Sequence, residues 1–140
     1  MPHLIIEHSD NLGTAVDPQE LVDRLHRAAL TSPIVPAVGL RTRAAPREAF
    51  RVADGDPDNA FVAVTARLGP GRTDEEKAAF LTLLLDEVEA VVGELAPQLT
   101  VSYSVEYQEI DAALRINRNH IRAKLDRARQ QPGLEENDER

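Results

Sequence analysis

The sequence predicts an α/β (α+β) fold. A strand–helix–strand unit occurs twice and forms one four-stranded sheet, mainly of parallel pairs, with both helices on one face. Two observations predict this fold. Apolar strands alternate with amphipathic helices that carry N-cap signals, and a turn-rich break at residues 53–59 separates two halves of similar layout. Because a helix that connects two strands of one sheet makes them parallel, each half should supply one parallel pair.

The first half covers about residues 2–52. Its predicted elements are, in order, a strand at 2–8, a helix after Asp17, a strand at 37–43 and a hairpin arm at 47–52. Asp17 is a typical N-cap residue, and Pro18 suits the first turn of a helix. Apolar residues then recur at helical spacing, at positions 21, 22, 25, 28 and 29.

The second half covers about residues 60–108. Its predicted elements are a strand at 61–68, a helix from Thr73 to just before Pro97, and a strand at 100–107. Thr73 and Glu76 have the spacing of a capping box, which marks the start of a helix. In the last strand apolar and aromatic residues alternate with polar ones, so one face should hold Val101, Tyr103, Val105 and Tyr107.

The two halves predict a single domain at residues 1–128, completed by a C-terminal segment at 110–128 that is compatible with a helix. Residues 129–140 are predicted to form an acidic, disordered tail. Because both helices cover the same face of the sheet, the other face would be left open. We therefore expect this face to be covered by other subunits in an oligomer.

The composition excludes several classes of function. The chain of 140 residues has a formal net charge of −8 and no cysteine. Its acidic surplus argues against general nucleic-acid binding, and the missing thiols exclude disulfides and cysteine-based metal sites. No apolar run reaches the ~20 residues that span a bilayer, and the first residues lack the basic stretch of a signal peptide. We therefore expect a cytoplasmic protein without nucleic-acid or membrane partners.

The sequence contains no standard cofactor or metal motif. It has no glycine-rich phosphate loop, no serine elbow and no zinc-binding histidine pair. The best candidate metal ligands are His3, Glu7 and His8. Glu7 and His8 are neighbours on a strand and should point to opposite faces, so they do not readily bind one ion. We expect neither a cofactor nor a metal.

Pro2 is a candidate general base. If Met1 is removed, Pro2 becomes a secondary amine at the start of a strand. An ordinary α-amino group titrates near ~8. Nearby cations or burial would lower its pKa towards neutrality, where it could accept and return a proton. The alternative is that Met-Pro is a common start without function.

Three arginines next to glycines are candidate anion ligands. Arg41 and Arg43 are two residues apart on a predicted strand and therefore share a face. Arg72 follows Gly71 and precedes a helix N-terminus, where free amide donors favour a carboxylate. Because the whole chain is acidic, any anion binding has to be local. The alternative is that these are surface arginines paired with carboxylates.

Together these residues resemble the tautomerase superfamily, and within it the 5-carboxymethyl-2-hydroxymuconate Δ-isomerase family. The resemblance runs from Pro2 to about Leu125. It is carried by P-H-L-I-I-E at 2–7, S-D-N at 9–11, P-A-V-G-L-R-T-R at 36–43, A-D-G at 53–55, A-F-V-A-V-T at 60–65 and G-P-G-R at 69–72. The opening block and the G-P-G-R turn are specific in combination.

The resemblance implies a tautomerase-like fold, a homotrimer and a reaction that needs no cofactor. A dienol is ketonised as the proline nitrogen takes a proton from the 2-hydroxyl side and delivers one to C5. The family's substrate is a tricarboxylate of the homoprotocatechuate (4-hydroxyphenylacetate) branch of aromatic degradation. In this sequence the proton transfer would fall to Pro2 and the binding of carboxylates to Arg41, Arg43 and Arg72.

Two alternatives stay open at this point. One is a related dehalogenase, hydratase or decarboxylase of small unsaturated acids, in which a carboxylate or tyrosine activates water. Candidates for that group are Tyr103, Glu106, Tyr107 and Glu109. The other is a non-catalytic binding protein on the same scaffold. The sequence departs from the family pattern at 44–52 and in its long tail, which bears on the substrate more than on the reaction type.

Overall fold

The computed structural model describes residues 2–130. The elements are β1 (His3–Ser9), α1 (Pro18–Leu30), β2 (Arg41–Arg47), β3 (Asn59–Leu68), α2 (Asp74–Leu95), β4 (Thr100–Glu109) and α3 (His120–Arg129), with 3-10 turns at Asp10–Thr14, Ala37–Gly39 and Ala112–Leu114. The strand order is β2-β1-β3-β4. β1 is parallel to β2, β3 is parallel to β4, and β1 and β3 are antiparallel. The predicted sheet of two parallel pairs is confirmed.

Both long helices begin at the predicted caps. The Asp17 side chain accepts a hydrogen bond from the Gln19 N–H at 3.1 Å. At α2 the capping box is complete: Thr73 Oγ1 accepts from the Glu76 N–H at 3.1 Å, and Glu76 Oε1 accepts from the Thr73 N–H at 2.9 Å. These bonds satisfy amide donors that a helix start otherwise leaves free.

The hydrophobic core lies between α1 and α2 and one face of the sheet. Alternate residues of β1 and β3 are almost completely buried there, while the residues between them are only partly buried. The core includes Leu4, Ile6, Val62, Val64, Leu21, Leu25, Phe80, Leu84 and Val88. The opposite face of the sheet carries no helix within the described residues. In residues 2–130, no helix is long and apolar enough to cross a bilayer.

The prediction of a strand at 37–43 is wrong in its first part. β2 begins at Arg41, which pairs with His3, so residues before Arg41 would extend beyond the start of β1 and have no strand to pair with. Residues Ala37–Gly39 instead form a 3-10 turn, in which the Gly39 N–H bonds to the Pro36 carbonyl at 3.2 Å.

The prediction of a hairpin arm at 47–52 is wrong. Arg47 is the last residue of β2 and pairs with Ser9, and the start of β3 lies beside the same end of β1. The segment that joins β2 to β3 therefore only has to cross the end of β1, and it forms no additional strand. The predicted break at 53–59 is a turn, with positive φ at Ala53 (52°) and Gly55 (83°).

The C-terminal segment is helical over a shorter stretch than predicted. Asp111 caps only a 3-10 turn, and α3 begins at His120, where the Asn119 side chain accepts from the Ile121 and Arg122 N–H groups. Such side chains compete with a continuous helix by bonding to nearby backbone. Of the predicted tail at 129–140, Arg129 ends α3 and Gln130 is its C-cap; residues 131–140 lie outside the described residues.

Candidate active site

Pro2 lies at one end of the sheet, buried beside the start of β2. Its carbonyl accepts a hydrogen bond from the Arg41 N–H at 3.2 Å. The next residue, His3, pairs with Arg41 on β2 and with Arg67 on β3, and Arg67 pairs with Gln108 on β4. Paired residues project from the same face of a sheet, so these four side chains form a row on the face without helices.

His3 is the centre of a small polar cluster. Arg43 Nη1 lies 3.2 Å from His3 Nδ1, and Arg41 Nη1 lies 3.5 Å from His3 Nε2. Arg41 Nη2 also donates to Asn117 Oδ1 at 3.1 Å. A neutral imidazole has one acceptor nitrogen and guanidinium groups only donate, so the shorter contact assigns the acceptor to Nδ1 and the proton to Nε2.

Burial, and after it the neighbouring cations Arg43, Arg41 and Arg67 in that order, together lower the pKa of His3 to about 4. The ring is therefore neutral at pH 7. The groups that contact the His3 ring, Arg41 and Arg43, are both hydrogen-bond donors. The one acceptor described in this cluster besides the ring is Asn117 Oδ1, which bonds to Arg41. The cluster thus offers positive charge and N–H groups, which suits a carboxylate.

No acidic residue within the described range 2–130 neutralises the arginines of this cluster. Within residues 2–130, ion pairs form at Arg24, Arg47 and Lys77, and none forms at Arg41, Arg43 or Arg67. The chain as a whole is acidic, with a net charge of −8. Among the described residues this cluster is therefore a local group of uncompensated positive charges in an acidic chain.

Arg72 is held in a different way. Its guanidinium donates to the carbonyls of Gly69 at 2.9 Å, Pro70 at 3.4 Å and Ile34 at 2.7 Å. The positive φ of Gly71 (109°) allows the tight turn that brings the side chain back onto these carbonyls. Arg72 therefore ties the β3–α2 turn to the segment before β2. No hydrogen bond joins it to the His3 cluster in the part of the chain that the structure describes.

The N-terminus of α2 is less free than the sequence indicates. The amides of Thr73 and Glu76 are already bonded within the capping box. The first turn also carries three acidic residues, Asp74, Glu75 and Glu76. Both features oppose an anion at the helix end itself, so the Arg72 guanidinium is the cationic group that this turn presents.

The alternative water-activating groups lie apart from the His3 cluster. Tyr103 and Tyr107 share the helix-covered face of β4, and burial raises the pKa of each. Glu109 is paired with Lys77 at 3.0 Å. Glu106 is on the open face, where its carboxylate accepts from Gln108 at 3.1 Å. Within one subunit the sheet separates both tyrosines from the His3 cluster.

Two cationic residues of this region were not predicted from the sequence. Arg67 alternates with the buried Leu68 at the end of β3, so its direction could have been inferred from strand periodicity. Arg115 follows the 3-10 turn after β4, and no sequence pattern places it.

The suggested metal ligands do not come together: His8 is buried on the helix side and His3 lies on the open face. Among the described residues no group of side chains is arranged to hold a metal.

The chain is similar to proteins of one family along most of its length. The family model described as 5-carboxymethyl-2-hydroxymuconate isomerase matches residues 2–125. A 5-carboxymethyl-2-hydroxymuconate Delta-isomerase of Escherichia coli is 28% identical over 123 residues, which cover 88% of this chain and 98% of the relative.

Solved structures show the same similarity. A 5-carboxymethyl-2-hydroxymuconate isomerase from Deinococcus radiodurans R1 matches with a TM-score of 0.79 at 30% identity, covering 89% of this chain and 93% of the other. The asymmetric trimer of a wild-type fused 4-OT matches with a TM-score of 0.62 at 23% identity, over 86% of this chain and 98% of the other. The second match concerns the fold alone, which is that of the tautomerases.

Proposed function

Because the chain belongs to the 5-carboxymethyl-2-hydroxymuconate isomerase family and is a tautomerase-type isomerase, we propose that it ketonises 5-carboxymethyl-2-hydroxymuconate or a similar unsaturated hydroxy di- or tricarboxylate. Pro2 is the proposed base and acid, and arginines bind the carboxylates. One observation carries this proposal: Pro2 is buried, its carbonyl accepts from the Arg41 N–H at 3.2 Å, and no acidic residue within 2–130 forms an ion pair with Arg41 or Arg43.

The proposed proton transfer uses the amine of Pro2 after removal of Met1. The amine accepts the proton of the 2-hydroxyl group, and the O–H electrons form the new carbonyl. The double bonds shift along the conjugated chain, and the ammonium returns a proton to C5, so no atom is gained or lost. Burial and the nearby positive charges of Arg41 and Arg43 disfavour the ammonium form, which keeps the amine available as a base near neutral pH.

The arginines have two proposed roles. Arg41 and Arg43 hold a carboxylate through charge-assisted bonds and stabilise the negative charge that develops on the dienolate. Arg72 uses three contacts to hold its own turn, but a guanidinium has five N–H donors. The remaining donors are available to a further carboxylate. The chemistry requires no metal or nucleotide.

We also propose a homotrimer located in the cytoplasm. The face of the sheet without helices needs a cover, and the segment after β4 exposes Leu114 (85%) and Ile116 (90%), which favours contact with another subunit. Similar folds occur as trimers in the fused 4-OT structures. A neighbouring subunit on this face would exclude water from the Pro2 region and strengthen its electrostatic interactions. The family's substrate would place the enzyme in homoprotocatechuate breakdown.

The proposal is tested by the reaction itself. Purified protein, with removal of Met1 verified by intact mass, is mixed with 5-carboxymethyl-2-hydroxymuconate, and the loss of the dienol absorbance is followed. We expect rapid ketonisation without added cofactor. Protein that retains Met1 is the matched control and should be inactive. A processed chain that leaves this substrate and 2-hydroxymuconate unchanged would contradict the proposal.

A further inference from the structure

We propose that the cavity beside His3 is a second carboxylate subsite, in which Arg67 and Arg115 bind one carboxylate of a di- or tricarboxylate while Arg41 and Arg43 bind another. The claim that this cavity binds the substrate rests on the proposed function. The claim that it binds a carboxylate does not, because binding measurements without turnover can test it.

The cavity lies on the open face of the sheet, against His3, the residue that follows Pro2. It has a volume of about 490 Å³, and its polar wall is formed by His3, Arg67 and Arg115. This volume is in the range of small-molecule sites. His3 is shared with the Arg41–Arg43 cluster, so the cavity and that cluster lie on either side of one imidazole ring.

Within residues 2–130, neither arginine of the cavity has a side-chain acceptor. Arg115 Nη2 is shielded from solvent and has no hydrogen-bond partner among these residues. The Arg67 side chain likewise forms no hydrogen bond or ion pair with residues 2–130, and it acts on the His3 ring through its charge. Leaving a buried charged donor unpaired is costly, and a bound carboxylate would remove that cost. The buried, unpaired Nη2 of Arg115 and the half-buried guanidinium of Arg67 beside one cavity therefore point to an anion.

The strand register sets the spacing of the two subsites. His3 pairs with Arg41 on one side and with Arg67 on the other. With neighbouring strands about 4.8 Å apart, the backbones of Arg41 and Arg67 are separated by roughly 10 Å. From these backbone positions on either side of His3, the two side chains can hold two carboxylates of one molecule, whereas a monocarboxylate occupies only one of them.

The rest of the cavity suits a carbon skeleton. Its apolar wall is formed by Ile110, Leu114 and Ile116. One carboxylate, that of Asp111, also lines it, but its Oδ1 accepts from the Ala113 N–H at 3.0 Å and caps the 3-10 turn. Because two arginines face this single acid, the cavity keeps a positive balance.

The test compares the binding of a tricarboxylate with that of a monocarboxylate. Calorimetric titrations use propane-1,2,3-tricarboxylate and butyrate with the wild-type protein, Arg67→Gln and Arg115→Gln. The matched control is Arg118→Gln, which removes an exposed arginine from the same segment outside the cavity. We expect each cavity variant to weaken tricarboxylate binding about ten-fold or more and butyrate binding less than about two-fold. The control should bind both probes like the wild type.

Arg67→Lys separates a binding role from a structural one. It keeps the positive charge but not the planar fork of donors, so it should recover part of the tricarboxylate affinity that Arg67→Gln loses. Unchanged tricarboxylate binding in both glutamine variants would overturn the subsite, as would equal weakening of both probes or a loss that Arg67→Lys shares in full. If the glutamine variants lose binding but the wild type does not ketonise hydroxymuconates, the proposed reaction fails and the subsite stands.

Discussion

His3 Nδ1 lies 3.2 Å from Arg43 Nη1, although 40 residues separate the two in the chain. This contact gives the ring a fixed acceptor and places its N–H on the side of Arg41. It also links the residue after Pro2 to the cationic strand β2. The position of the catalytic amine that we propose therefore depends on the pairing of β1 with β2.

The titration of His3 should report on this cluster. Folding lowers its pKa from 6.5 to about 4, because the ring is partly buried and faces Arg43 and Arg41. In Arg43→Gln the pKa should rise towards 6.5, since one repelling cation is removed. NMR of the imidazole protons over pH 3–8 measures this directly. Arg47→Gln, on the same strand but paired with Glu7, is the control and should leave the His3 pKa unchanged.

The same shift predicts how stability depends on pH. Because the folded state holds the His3 proton less tightly than the unfolded state, the contribution of His3 is fully present above about pH 6.5 and is lost as the pH falls through about 4. His3→Gln should flatten the fall in the free energy of unfolding across this window. Urea unfolding at a series of pH values and one protein concentration checks it. Identical pH slopes for both proteins would contradict the shift.

Pro2→Ala should lower kcat by about 10²-fold without abolishing activity, because a primary amine replaces the secondary amine at the same place. Alkylation of the wild-type amine should abolish turnover, since the nitrogen then no longer shuttles the proton. Steady-state kinetics with mass spectrometry of the modified chain measures both. Full activity in protein that demonstrably keeps Met1 would rule out this mechanism.

Arg72→Ala should affect both stability and catalysis. Loss of its bonds to the carbonyls of Gly69 and Ile34 should lower the free energy of unfolding by about 1–3 kcal/mol. Loss of the proposed carboxylate contact should lower kcat/KM by about ten- to a hundred-fold. Chemical denaturation and kinetics separate the two effects, with Arg118→Ala as the control. Reduced stability with wild-type kcat/KM would assign Arg72 a purely structural role.

A loss of ground-state binding at Arg72 should appear in KM, whereas a role in stabilising the dienolate should also lower kcat. Arg72→Lys should recover only part of either effect, because an ammonium cannot bond to two carbonyls and a carboxylate in one plane.

The double change Leu114→Gln and Ile116→Gln should weaken the trimer that we propose. Each side chain is mostly exposed in the single subunit, and burying one is worth about 1.5–3 kcal/mol. The protein concentration at which the assembly dissociates should therefore rise by about ten-fold or more. Light scattering over a dilution series checks this, with Ala90→Gln on the helix layer as the control. A monomeric wild type at micromolar concentration would contradict the assembly.

Local signals predicted the elements of this fold well. Asp17, Thr73 and Glu76 act as the caps that their spacing indicates, and the alternation in β4 places Tyr103 and Tyr107 on one face. The wrong predictions concern 37–43 and 47–52. There the outcome depends on where β1 begins and ends, which no signal inside those segments contains.

The predicted roles of Pro2, Arg41, Arg43 and Arg72 remain proposals, but the structure shows how differently they are held. Arg41 and Arg43 share a face because residues two apart on a strand always do. That Arg72 is bonded to the Ile34 carbonyl follows from the packing of two turns 38 residues apart. Spacing along the chain does not reveal such a contact.

The sequence by itself determined the order of strands and helices, their caps and the faces they bury, because each depends on interactions within a few residues. Only the tertiary structure decided that Arg67 and Arg115 lie beside His3 and that Arg115 Nη2 has no partner among residues 2–130. The reason is physical: strand register and the path of the chain after β4 bring together residues that are far apart in sequence. The chemistry of the site depends on those distances.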